Sequence, residues 1–124
     1  MIKYTKTPNA PAAIGPYSQA IAYNGLLYIS GMIPLDPISN EIVQNDIVTQ
    51  TTQVIKNIEA ILNVNNISFE DILKTTCMLD NMDLFVEFNE VYAKYFVSNP
   101  ARSTFAVKGL PKGVLCEIDV IAKV

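Results

Sequence analysis

Residues 20–30 read AIAYNGLLYIS, and this stretch determines how the rest of the chain is interpreted. Two short apolar runs flank the pair Asn24-Gly25. Because Asn-Gly accepts the positive φ angles of a two-residue turn, the pair is a strong signal for a β-hairpin. The pattern therefore predicts two antiparallel strands, the second of which ends at Gly31.

Helices and further strands follow the hairpin along the chain. Apolar residues three and four positions apart predict helices over 46–63 and 82–97. Further strands are predicted over 72–79, 103–107 and 114–123. With a short strand before the hairpin, this order predicts an α+β fold in a single domain of residues 1–124, in which two helices pack on one face of a mixed β-sheet.

The last predicted strand carries apolar residues on both of its faces. Ile118, Val120 and Ala122 alternate with Asp119 and Ile121. Because two helices cover only one face of the sheet, the other face of a monomer remains partly apolar and exposed. Self-association is therefore expected to bury it.

Composition and charge exclude several classes of function. The chain has 124 residues, with nine Lys and Arg against twelve Asp and Glu, and a net charge of −3. Nucleic acid is not an expected partner, because no run of cations supplies the clustered charge that a phosphate backbone requires. Without His, neither a Ser-His-Asp triad nor a His-ligated metal site can form, and no bound metal is expected.

The two cysteines and the absence of a targeting segment indicate a location. Cys77 and Cys116 lie in apolar strand contexts and are expected to be inert thiols. No apolar run approaches the roughly 20 residues of a membrane helix, and the first residues lack a signal-peptide core. A soluble cytoplasmic protein that does not associate with membranes is expected.

Two charged residues are candidates for chemistry from their contexts alone. Arg102 follows the second helix at the mouth of a strand, where it either binds a carboxylate through two parallel hydrogen bonds or forms an ordinary surface ion pair. Glu117 interrupts an apolar strand, as either a solvated edge residue or a half-buried acid–base group with a raised pKa.

Other candidates are uncharged. Tyr17 follows Gly15-Pro16, and Ser30-Gly31 ends a strand where the missing side chain lets a ligand approach the backbone. A packed ring and an ordinary turn explain these residues equally well. Asn89 lies near the apolar face of the second helix, where it bonds either a loop or a ligand.

Three blocks of the sequence carry distinctive motifs. They are residues 12–20 (AAIGPYSQA), residues 29–37 (ISGMIPLDP), and Pro100-Ala101-Arg102-Ser103 followed by Leu110-Pro111 and Cys116-Glu117-Ile118. In this order the blocks resemble the N-terminal motif, the second block and the C-terminal signature of the RidA family, whose name refers to reactive intermediate deaminases. The blocks occur in family order across nearly the whole chain.

The resemblance implies a fold and a reaction. The expected subunit is chorismate-mutase-like, and three copies form a homotrimer with clefts between subunits. The implied reaction is hydrolysis of reactive 2-imino and enamine acids, such as 2-iminobutanoate and 2-iminopropanoate, to 2-oxo acids and ammonia. This reaction removes reactive products of pyridoxal-phosphate-dependent dehydratases, and the family protein itself carries no cofactor.

Family roles transfer to matching positions of this chain. Arg102 would bind the substrate carboxylate, and Glu117 would activate water or move the proton on nitrogen. Tyr17, from a different subunit than Arg102, would shape the cleft, and the Gly31 amide would donate to the substrate. The matching positions that line the pocket are Ser30, Asn89 and Thr104.

Three departures from the family pattern leave the substrate range less defined than the reaction class. Thr104 replaces a frequent Cys, Cys116 replaces an aliphatic residue, and Met32 replaces a frequent Gln.

Three other functions stay open. One is a regulatory trimer that binds 2-oxo acids or related small carboxylates without turnover. Another is a ribonuclease, which the charge balance disfavours. The third is a chorismate-mutase-like enzyme, for which Arg102 alone supplies too few cations.

Overall fold

A six-stranded mixed sheet and two α-helices form the fold in the computed structural model, which describes residues 1–124. The strands are β1 (Lys3–Thr5), β2 (Ala20–Tyr23), β3 (Leu26–Met32), β4 (Leu35–Asp36), β5 (Glu41–Ile42), β6 (Ile72–Leu79), β7 (Ala101–Ala106) and β8 (Cys116–Lys123). The helices are α1 (Ile47–Val64) and α2 (Phe85–Tyr95). The main sheet has the order β1-β2-β3-β8-β6-β7, and only the pair β6–β7 is parallel. The expected α+β fold with a mixed sheet is confirmed.

The Asn-Gly hairpin forms as predicted. Asn24 and Gly25 have φ angles of 51° and 79°, as a tight turn with two left-handed residues requires. The expectation that Gly31 ends the second strand is wrong, because β3 continues to Met32.

A β-bulge explains this difference. Ile29 pairs with Val120 and Met32 pairs with Ile118, so that Ser30 and Gly31 both lie opposite one residue of β8. A bulge bends the strand and redirects its side chains, and bulges are frequent beside functional sites.

The predicted helices are present, with small differences at their ends. The first begins at Ile47, because the Asp46 side chain caps it by accepting a hydrogen bond of 2.8 Å from the Thr49 amide. The second begins at Phe85 rather than 82, because residues 82–84 form a 3₁₀ turn. Neither helix combines the length and hydropathy that crossing a membrane requires.

The ends of the last two strands also differ from the prediction. β7 begins at Ala101 instead of 103, since it pairs in parallel with β6 from that residue onward. β8 begins at Cys116 instead of 114, because the preceding turn passes through Lys112 in a left-handed conformation. The short ribbon of β4 and β5 was not predicted, because two-residue strands carry no periodic signal.

The helices cover one face of the main sheet, as expected. The core on that face contains 23 buried residues, among them Ile118 and Val120 of β8 and Cys77 of β6. Residues that alternate with them lie on the opposite face, which we call the open face. It presents apolar side chains, including the half-buried Ile121 and the exposed Phe105. The predicted apolar pattern on both faces of β8 is therefore confirmed.

Candidate functional site

Helix α2 holds the side chain of Arg102 from one side. Phe85, Asn89 and Tyr92 are spaced four and three positions apart, so they form one stripe along the helix. Arg102 Nη1 donates a hydrogen bond of 2.8 Å to Asn89 Oδ1. The guanidinium carbon lies 4.6 Å from the centroid of the Tyr92 ring and 5.6 Å from that of Phe85. Both rings therefore contribute cation–π attraction.

This arrangement leaves Arg102 able to bind an anion. Its hydrogen-bond partner is the neutral amide oxygen of Asn89 rather than a carboxylate, so the bond does not neutralise the guanidinium. A guanidinium has five N–H donors in a planar fork, and those that Asn89 does not use suit a carboxylate. The groove beside it, of about 440 Å³, is lined by Asn89, Tyr92, Pro100 and Arg102 among others.

Thr104 lies two residues farther along β7, on the same face as Arg102. Its Oγ1 atom is buried and has no hydrogen-bond partner. A buried hydroxyl without a partner costs free energy unless a ligand or water satisfies it. The edge strand β7 therefore presents two groups with free hydrogen-bonding capacity on one face: the guanidinium, which keeps N–H donors beyond its bond to Asn89, and the Thr104 hydroxyl, which has no partner.

Glu117 and Gly31 lie against each other on the open face. A Cβ atom at residue 31 would overlap Glu117 Oε2 and lie 2.9 Å from its Cδ. The absence of a side chain at Gly31 thus provides the space that the carboxyl group occupies. Burial, and to a smaller extent the negative charge of Asp119, raises the pKa of Glu117.

A cleft of about 210 Å³ opens beside Gly31 and is also lined by Tyr17, Ser30 and Met32. The Ser30 hydroxyl donates a hydrogen bond of 2.6 Å to the Ser18 carbonyl, so it fixes the backbone next to Tyr17. The Tyr17 amide donates to the Gly15 carbonyl at 2.8 Å, and its side chain is 52% exposed. The turn therefore presents the Tyr17 ring at the mouth of the cleft.

Two buried amide side chains that the sequence analysis did not identify hold this cleft in shape. Gln19 accepts from the Thr7 amide at 2.7 Å and donates to the Pro11 carbonyl at 2.8 Å, which fixes the N-terminal loop. Asn57 of α1 donates to the carbonyls of Ile33 and Leu35 at 3.0 and 2.9 Å. Their signal in the sequence was a polar residue at a core position, as for Asn57, which lies three residues after Val54 and four before Ile61.

The candidate residues form two groups in the chain. Arg102, Asn89 and Thr104 make up the first, which we call the anchor half. The second group, which we call the acid half, contains Tyr17, Ser30, Gly31 and Glu117.

The two halves lie on opposite faces of the sheet. Arg102 pairs with Thr75, a buried residue of the helix-covered face, whereas Glu117 pairs with Met78 on the open face. Residues paired in register point to the same side of a sheet. Arg102 and Glu117 therefore do not meet within one chain.

Both cysteines are free and buried. Burial raises the pKa of Cys77 to about 11 and that of Cys116 to about 12. The thiols are therefore protonated at neutral pH and are poor nucleophiles, as expected for inert packed cysteines.

Replacing Glu117 with glutamine is expected to raise thermal stability at pH 7–8. The pKa of Glu117 is higher in the folded chain than in the unfolded chain, so folding disfavours the charged carboxylate. This lowers the stability of the folded protein. The loss is absent below the pKa of the unfolded chain and develops as the pH rises through the pKa of the folded chain. The gain in Tm should therefore shrink as the pH is lowered toward about 4. Thermal melts at several pH values test this, with the exposed Glu59→Gln on α1 as control. A gain that does not depend on pH would contradict the assignment.

Comparison with known proteins identifies the family. Residues 7–124 match the sequence model of the family described as Endoribonuclease L-PSP. A Lactococcus lactis protein whose name describes a proposed regulator, AldR, is 54% identical over 124 residues, which cover 99% of this chain and 98% of its own. The mouse 2-iminobutanoate/2-iminopropanoate deaminase is 42% identical over 121 residues, 97% of this chain and 90% of its own.

A solved structure shows the same fold. The crystal structure of a Rid-family protein of unknown function from Yersinia pestis superimposes with a TM-score of 0.97 at 49% identity, covering 100% of both chains. The family match and these alignments extend over nearly the whole chain. The chain therefore belongs to the Rid family, also described as the endoribonuclease L-PSP family.

Proposed function

We propose that this protein hydrolyses reactive 2-imino acids and their enamine tautomers, such as 2-iminobutanoate and 2-iminopropanoate, to 2-oxo acids and ammonia. The observation that carries the proposal is Arg102, which a neutral amide holds with N–H donors left over. Every 2-imino acid has a carboxylate next to its reactive C=N carbon, so a guanidinium that binds the carboxylate also fixes that carbon. The mouse relative is named for this activity.

The proposed active site lies between subunits of a homotrimer. The anchor half and the acid half face opposite sides of one sheet, so a site containing both requires two copies of the chain. Each copy offers two different surfaces, and head-to-tail contacts between them close into a ring of three when successive copies are related by a rotation of one third of a turn. The apolar open face gives the copies a surface to bury. In this assembly Glu117 and Gly31 come from the same subunit as Tyr17.

Glu117 moves the protons in the proposed reaction. In its protonated form, which burial favours, it donates a proton to the imine nitrogen and makes the carbon more electrophilic. Water then adds to that carbon, and the carboxylate accepts the proton that the water loses. Glu117 then returns this proton to the amino group of the resulting carbinolamine. The C–N bond breaks and ammonia leaves, while the hydroxyl gives its proton to the carboxylate as the C=O bond forms. The Gly31 amide donates to the substrate, and Tyr17 orients the attacking water.

A regulatory binding protein is the second candidate. It is favoured by the 54% identical relative, whose name describes a proposed regulator. Arg102 would anchor a 2-oxo acid or a related carboxylate in both cases, whereas only the enzyme needs the acid function of Glu117. The two candidates therefore differ in what Glu117→Gln does.

A coupled assay tests the proposal. A threonine dehydratase generates 2-iminobutanoate in the cuvette, semicarbazide competes for the free imine, and 2-oxobutanoate is measured. We expect the wild-type protein to accelerate 2-oxobutanoate formation and Glu117→Gln to lower that acceleration by about 100-fold or more, since general acid–base catalysis contributes 10²–10⁴-fold. Glu59→Gln, an exposed carboxylate of α1, is the matched control and should remain active.

Binding distinguishes the outcomes. Glu117→Gln should still bind 2-oxobutanoate in a calorimetric titration, because the carboxylate anchor is intact. No acceleration by the wild type with imines from several amino acids would refute the enzyme. Retained binding of 2-oxobutanoate in that case would support the regulatory protein.

A further inference from the structure

The side chain of Tyr92 is fixed at both of its ends. The residue is 6% exposed, and its ring stacks on Phe96 with 4.1 Å between centroids and 15° between planes. Its hydroxyl lies 2.7 Å from Thr75 Oγ1, and both groups are buried. Burial also raises the pKa of Tyr92, so the hydroxyl keeps its proton for this bond at neutral pH. The ring therefore has one orientation relative to the sheet.

The same ring lies beneath Arg102. The guanidinium carbon is 4.6 Å from the ring centroid, while Asn89 binds one edge of the guanidinium. Thr75, which holds the Tyr92 hydroxyl, is the residue of β6 that pairs in register with Arg102 of β7. Thr75 thus holds the Tyr92 ring, and its neighbour across the two strands, Arg102, carries the guanidinium that lies above this ring.

We propose that Tyr92 is a positioning residue for ligand binding, because its ring, held by Thr75, keeps the Arg102 guanidinium in the orientation that receives a carboxylate. The inference rests on the proposed function in taking a small carboxylate as the ligand. An arginine side chain loses rotamer freedom when it binds, and a supporting ring removes part of that loss beforehand. The hydroxyl of Tyr92 contacts no substrate in this role.

The expected kinetic signature is specific. The carboxylate of the substrate does not react, so Arg102 binds it equally well in the ground state and in the transition state. A guanidinium that loses its orientation should therefore raise KM rather than lower kcat. Removing the Tyr92 ring removes its cation–π contact with Arg102 and the fixed orientation of the guanidinium. This loss is expected to raise KM about tenfold. A variant that retains the ring should retain most of the affinity.

The test compares two tyrosines of the same helix. Tyr92→Leu removes the ring beneath Arg102, whereas Tyr95→Leu removes a ring whose aromatic partner is Phe69. In the imine assay, KM should rise about tenfold for Tyr92→Leu and less than about twofold for Tyr95→Leu, with kcat nearly unchanged in both. Tyr92→Phe, which keeps the ring and loses the bond to Thr75, should stay within about threefold of the wild-type KM.

Calorimetric titration with 2-oxobutanoate gives a readout that does not need turnover, and Tyr92→Leu should bind it about tenfold more weakly than Tyr95→Leu does. Equal effects of the two leucine variants, or a loss confined to kcat, would overturn the positioning role. An inactive wild type would refute the proposed function, while the contrast in binding would still decide the role of Tyr92. If Tyr92→Leu does not fold, Tyr92→Met, whose unbranched and flexible side chain adapts to the gap but has no ring, carries the same expectation.

Discussion

Replacing Arg102 with alanine is expected to lower kcat/KM for imine hydrolysis by about 100- to 1,000-fold. The variant loses two charge-assisted hydrogen bonds to the substrate carboxylate, each of which contributes about 1.5–3 kcal/mol. At about 1.4 kcal/mol per factor of ten, even the lower values give a loss of two orders of magnitude. Arg102→Lys keeps the charge without the planar fork and should recover only part of the activity.

The imine assay with semicarbazide measures this effect, and Lys123→Ala, an exposed cation at the end of β8, is the matched control. Because Arg102 packs on the Tyr92 ring, its removal also costs packing, so melting temperatures are needed alongside rates. A folded Arg102→Ala protein with wild-type kcat/KM would exclude the carboxylate anchor.

Gly31→Ala is expected to reduce turnover by about 100-fold while changing the free energy of unfolding by less than about 1 kcal/mol. The new Cβ would overlap the end of the Glu117 side chain, which is flexible enough to move aside. Gly31 is not among the residues with a left-handed backbone, so the substitution adds no conformational strain there. The substitution therefore displaces the carboxyl group of Glu117 without unfolding the protein. A displacement of about 1 Å is enough to lower the rate by two orders of magnitude.

Gly109→Ala is the matched control, because nothing lies within 4 Å of a Cβ atom at residue 109. It should leave both the rate and the melting temperature unchanged. In a Glu117→Gln background, Gly31→Ala should cause no further loss of turnover, since the two changes act on one group. Additive losses would show that Gly31 contributes independently of Glu117.

Local sequence signals were sufficient for most of the fold. The Asn24-Gly25 turn was predictable because few other pairs tolerate two left-handed residues. Helix α1 was predictable because its buried residues recur at helical spacing, for example Val54, Ile58 and Ile61. Arg102 was identified as a candidate because it follows the second helix at the mouth of a strand, and Glu117 because it places a charge in an otherwise apolar strand.

Features that depend on long-range pairing were not predictable in this way. The bulge at Ser30 and Gly31 exists only because β8 pairs with β3 on both sides of it, and the two strands are more than 80 residues apart in the chain. The roles of Gln19 and Asn57 depend on carbonyl groups that only the folded chain brings next to their side chains.

The separation of the two halves of the site also depends on topology. Because β8 lies between β3 and β6, Glu117 comes next to Gly31, while β7 carries Arg102 at the edge of the sheet. The face to which each side chain points follows from strand register, which a single sequence does not provide. The family resemblance supplied the identity of the residues, and the register shows which of them share a face.

The opposite placement of Arg102 and Glu117 has a consequence for inheritance. In the proposed trimer, each cleft takes its guanidinium from one chain and its carboxyl group from the next. A cell with one allele damaged at Arg102 and another damaged at Glu117 would then assemble some mixed trimers in which one cleft receives both intact residues. Two loss-of-function alleles of a single gene would therefore complement each other, whereas two alleles damaged in the same half would not.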